Sequence, residues 1–75
     1  MTTLSDLKVG ESAKIVSVFG NIKIKQRLLQ LGLTTGQIVK VLNISSLKKS
    51  YLISARGYAL AIRKSNLENI GVEKL

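Results

Sequence analysis

Residues 25–42, KQRLLQLGLTTGQIVKVL, decide how the rest of the chain is read. The stretch opens inside an amphipathic helix. Ile24, just before it, and Leu28 and Leu31 within it recur at the three- and four-residue spacing that stacks apolar side chains on one helical face. Gly32 stands where the helix needs a left-handed residue to stop, and glycine has no Cβ to oppose that conformation. Gly36 punctuates the chain again before Ile38, Val39 and Val41, β-branched residues that favour extended backbone. The stretch specifies a helix, a stop, a tight turn and a strand. It carries no catalytic group.

Working outward, residues 12–19 (SAKIVSVF) read as a first strand. Gly20 and Asn21 break it, and Asn21 is placed to cap the helix that runs to about Leu31. Residues 4–11 read as a short turn or helical start closed by Gly10, with Leu4 and Leu7 as anchors and Ser5 and Asp6 as caps. Downstream, residues 37–43, 50–55 and 58–63 read as three strands. In the last of these Tyr58, Leu60 and Ile62 alternate with Ala59, Ala61 and Arg63. Arg56 and Gly57 form a two-residue hairpin turn in which glycine supplies a positive φ. Residues 43–49, NISSLKK, are a longer polar connection expected to be mobile. Residues 65–68 read as one turn capped by Ser65, and Ile70 and Val72 alternate in a final strand. Five short strands around one core, with a helix inserted after the first, give a mainly β chain folded as a small barrel rather than a sandwich.

The 75 residues make one domain, 1–75, with no room for a second core. A chain this short buries only about 60–65% of the surface it exposes when unfolded. Apolar residues reach 45%, yet the aromatics are only Phe19, Tyr51 and Tyr58, so Leu, Ile and Val must fill the interior. Two of the three aromatics fall in strand patterns and are expected to face inward. No apolar run approaches the roughly 20 residues of a membrane helix, and no secretory signal opens the chain. The expectation is a soluble, cytoplasmic protein. Twelve basic residues against four acidic ones leave a net charge of +8, which attracts negative partners.

Charge and composition narrow the chemistry. The chain has no cysteine and no histidine. Nucleophilic catalysis needs a base beside its nucleophile, and the four acids, Asp6, Glu11, Glu68 and Glu73, are scattered without a paired spacing. The chain therefore reads as a non-enzyme. Fe(II) or zinc prefers imidazole or thiolate, so no metal site and no cofactor are expected. Gly32 and Gly36 lie between a helix and a strand, the reverse of the strand-to-helix order of a phosphate loop, and no Gly-Lys-Ser or Gly-Lys-Thr follows.

Three blocks in order resemble the ferrous iron transport protein A (FeoA) family. They are L-x-D-L-x-x-G at residues 4–10, R-L-x-x-L-G-L-x-x-G at 27–36 and G-Y-A-L-A-I-R at 57–63, followed by Leu67, Ile70 and Val72. Together they cover nearly the whole chain, in the pattern of the stand-alone form. The resemblance implies an SH3-like β-barrel of about five strands with one inserted helix. It also implies an accessory or regulatory role beside a membrane transporter of Fe(II) whose cytosolic portion binds GTP. Two departures fall in turns: Thr35, where the family often has proline, and Ser45, Ser46, Lys48 and Lys49, where it often has Gly and Pro.

In SH3-like barrels ligands tend to meet the loops at one barrel end, here the helical insertion and the 43–50 loop. Leu47 is apolar within a polar loop, flanked by Lys48 and Lys49 and followed by Tyr51, as contact with an acidic, partly apolar surface requires. Lys23, Lys25 and Arg27 on the helix form a second candidate patch. The alternative partner is nucleic acid, with phosphate contacts from these lysines and from Arg56, Arg63 and Lys64. The expected scarcity of exposed aromatics counts against base stacking. Weak self-association through unclosed strand edges is a third reading.

Overall fold

The computed structural model describes residues 2–75. A single 3-10 turn, Leu4–Asp6, leads into strand β1, Ser12–Val18, and helix α1, Ile22–Gln30. Strands β2 (Ile38–Ile44), β3 (Ser50–Ala55) and β4 (Tyr58–Arg63) follow as a meander. The one-turn helix α2 (Lys64–Leu67) then leads to β5, Ile70–Lys74. The strands form one antiparallel sheet in the order β4-β3-β2-β1-β5. The sheet is not closed, because among the described residues no ladder joins β4 to β5. This is the mainly β, SH3-like small barrel with an inserted helix. No helix among the described residues is long and apolar enough to cross a membrane.

Two register slips interrupt the ladders. In β1 the pairing with β5 shifts between Ile15 and Ser17. In β2 the pairing with β3 shifts between Val41 and Asn43. An extra residue in a strand bends it and reverses which side chains face inward. Ile15 is therefore buried and Val18 packs on the same core, although they differ in parity. Val41 and Ile44 do the same in β2. Among the described residues the core comprises fifteen apolar residues, with Leu4, Ile15, Leu28, Leu33, Ile53, Leu67 and Ile70 among those fully enclosed. Among the described residues no polar or charged residue is buried.

Helix α1 starts and stops where expected. The Asn21 side-chain oxygen accepts from the Ile24 N–H at 3.0 Å, satisfying one of the free donors of the first turn. At the other end Gly32 adopts φ +85°, the Gly32 N–H donates to Leu29 O at 2.9 Å, and the Leu33 N–H reaches back to Leu28 O at 3.0 Å. These two bonds define a Schellman stop, which brings the residue after the glycine against the last apolar turn. Leu28 and Leu33 are accordingly both buried, and Leu31, expected on the core face, is 39% exposed. Two caps also differ from expectation. Thr3 is the N-cap of the first 3-10 turn; the Asp6 carboxylate, an expected cap, accepts the Thr3 N–H at 2.9 Å, whereas the Ser5 hydroxyl pairs with the Thr3 hydroxyl. Helix α2 is preceded by Arg63, and Ser65 lies inside it.

Candidate functional site

The connection between β2 and β3 carries the first candidate patch, and it is tied down rather than loose. The Ser45 hydroxyl accepts from the N–H groups of Lys49 and Ser50 at 3.0 and 3.1 Å. The Ser45 carbonyl accepts from Lys48 N–H at 2.8 Å, which closes the turn with Lys48 at φ +55°. Lys64 N–H donates to Lys49 O at 2.9 Å and fastens this turn to the end of β4. A serine whose hydroxyl bonds two backbone N–H groups replaces a ladder with a local turn. The expected mobile connection is thus a closed loop with a defined tip.

At that tip Leu47 is 73% exposed. It lines an open cleft of about 580 Å³ together with the cations Lys48, Lys49, Arg63 and Lys64 and with Glu68. Among the described residues the single ion pair joins Lys74 to Glu11 elsewhere, so none of the four cations of the cleft has a carboxylate partner. Arg63 and Lys64 were considered from sequence only as phosphate contacts. The fold places them beside the loop, because β4 pairs with β3 in an unbroken register that sets Ser50 opposite Arg63.

Tyr51 does not belong to this surface. It is 4% exposed, and its hydroxyl donates to the Ser5 carbonyl at 2.8 Å, joining β3 to the first 3-10 turn. The first residues of β3 alternate inward, and Tyr51 takes the core side with Ile53 and Ala55. The other aromatics reverse the expectation that two would face inward: Tyr58 is 72% exposed and Phe19 40%.

The helix patch divides. Lys23, Lys25 and Arg27 are all exposed. Lys23 and Arg27 lie four residues apart on one face, whereas Lys25, two residues from each, points elsewhere. It lines a smaller apolar cleft of about 230 Å³ with Val18, Leu29 and Leu33. None of the three lines the cleft under Leu47. A further groove of about 480 Å³, which sequence reading missed, lies between the end of α1 and the β3–β4 hairpin. Leu31, Arg56, Tyr58 and Leu60 line it. Its signal was the type I′ hairpin, which needs positive φ at both Arg56 and Gly57 and so projects Arg56 toward Gly32.

A profile of the FeoA domain matches residues 2–74. The chain belongs to the FeoA family. No curated protein sequence matches it. Among solved structures it is similar to an iron uptake regulatory FeoA protein, at 29% identity and a TM-score of 0.89, covering 99% of this chain and 97% of that one. The FeoA protein of Chlorobium tepidum is 34% identical with a TM-score of 0.89, over 99% of this chain and 70% of that chain. FeoA of Stenotrophomonas maltophilia, solved with zinc, is 27% identical with a TM-score of 0.82, over 97% and 91%. That protein is described as a procaryotic SH3 domain protein and a candidate ferrous iron transport activating factor. The present chain has no His or Cys, and among the described residues no group of three or more His, Cys, Asp or Glu gathers.

Proposed function

We propose that this FeoA-family chain is a non-catalytic accessory protein of ferrous iron uptake. It docks through the cleft under Leu47 onto the cytosolic GTP-binding portion of an Fe(II) transporter and adjusts its activity. Membership of the family supports the role in ferrous iron transport. The observation that carries the docking is the exposed Leu47 set above four unpaired cations on a fastened loop. An apolar anchor within a positive ring suits an acidic surface with one apolar recess, because the anchor loses water while the ring steers approach. The chain would then work in the cytoplasm and gather at the inner face of the membrane only through its partner. Lys23, Lys25 and Arg27 give no single patch and are secondary in this reading.

Exposed Tyr58 and Phe19 favour one rival, a nucleic-acid surface, since both rings are open to stacking. A pull-down from cell extract at about 0.15 M salt, with and without nuclease, separates the two. Recovery of a membrane GTPase that survives nuclease supports the transporter reading. Recovery of nucleic acid, with proteins lost after digestion, overturns it.

A further inference from the structure

The two edges of the sheet are treated differently. At β5 the chain's own start covers the edge: Thr3 bridges Gly71, and the Val72 N–H donates to Thr2 O at 2.9 Å. At β4 no strand follows. The hairpin turn is of type I′, so the flanking pair Ala55 and Tyr58 exchange hydrogen bonds, and pairing alternates from there through the unbroken register to Arg63. Ala59 and Ala61 occupy the alternate positions and turn their N–H and C=O groups away from β3. Both are exposed, and among the described residues neither outward group has a partner.

Open edges are usually protected by a proline, a bulge or an inward charge. This one has none: β3 and β4 pair without a slip, and the edge presents two methyl groups over six residues, about 20 Å of strand. What it does carry is positive charge at both ends, Arg56 at the hairpin and Arg63 with Lys64 at the far end. Those ends open into the groove beside Tyr58 and the cleft under Leu47, so the edge joins the two. A second copy laid antiparallel would set each Arg63 beside the other's Arg56, cation against cation. A strand carrying carboxylates would meet opposite charge at both ends of the edge. We infer that the open edge of β4 takes up an extended, acidic segment of a partner protein as a sixth strand.

This inference stands apart from the identity of the transporter, and its test uses no transporter sequence. The probe is a synthetic ten-residue peptide alternating Glu with Val or Thr, added to ¹⁵N-labelled protein while amide hydrogen exchange is followed. The free protein should exchange the Ala59 and Ala61 amides rapidly, and saturating peptide should slow both at least tenfold. The same peptide with Gln for Glu should bind at least tenfold more weakly. Ala61→Pro removes one outward donor and leaves the bonds to β3, since a proline N at an edge position faces solvent. It should abolish protection while circular dichroism stays that of the parent. Should that variant not fold, N-methylating every second peptide amide asks the same question from the other strand: one alternate set should destroy binding and the other preserve it. The inference is overturned if both amides are already protected in the free protein. It is equally overturned if protection rises with protein concentration alone, or if the acidic peptide perturbs only residues remote from β4.

Discussion

Glu11 is gripped by two donors. Lys74 Nζ lies 2.7 Å from one carboxylate oxygen, and the Lys8 N–H donates to the other at 2.6 Å. The hydrogen bond from Lys74, and after it that from Lys8, holds the Glu11 carboxyl below its ordinary value of 4.5. A carboxyl with a lowered folded pKa stabilises the fold above its unfolded pKa. That contribution is lost as pH falls from about 4.5 through the lower folded value. Glu11 is part-exposed at the surface and its partner Lys74 is exposed, so solvent screens the pair and the effect is small. In thermal melts the parent should exceed Glu11→Gln in Tm at pH 6, with the gap closing below pH 4. A gap that stays constant down to pH 2.5 would show that the carboxylate's charge is not what stabilises this corner. Tyr51 makes the complementary point about single side chains. A residue beside a charged loop reads as part of its surface until strand parity turns it inward.

At the scale of elements, the stop of α1 shows how one glycine chooses a core residue. With Gly32 left-handed, the chain doubles back and Leu33, not Leu31, seals against Leu28. Leu33→Ala should therefore cost about 2–5 kcal/mol and Leu31→Ala under about 1 kcal/mol in denaturant unfolding. Equal costs would contradict the burial described. The helix, its Asn21 cap, the β3 and β4 boundaries and the hairpin turn were legible in the sequence, because each rests on a local signal: an apolar period, a capping oxygen, a glycine. Leu33 and the slips after Ile15 and Val41 were not, because a bulge leaves no composition mark and shows only when two strands are paired. The same limit hid the cleft. Leu47, Lys48 and Lys49 were legible as a patch, but Arg63 and Lys64 join them only through the pairing of Ser50 with Arg63. On the helix, Lys23 and Arg27 share a face and Lys25 lies half a turn from both, a division that residue type alone does not show.

Across the whole molecule, a net charge of +8 with one ion pair among the described residues makes the surface a positive field with few internal sinks. Such a field speeds encounter with acidic surfaces and weakens as salt screens it. Specificity must then come from shape, which in the proposed docking is the exposed Leu47 beside the cleft. The most direct measurement is a titration of the purified GTP-binding domain of the Fe(II) transporter with this protein, repeated between about 0.05 and 0.3 M salt, for the parent and the double variant Lys48→Glu/Lys49→Glu. Docking through the cleft predicts that the parent binds and loses affinity with salt, and that the variant binds at least tenfold more weakly with a flatter salt dependence. Unchanged affinity and an unchanged salt slope in the variant would contradict the account.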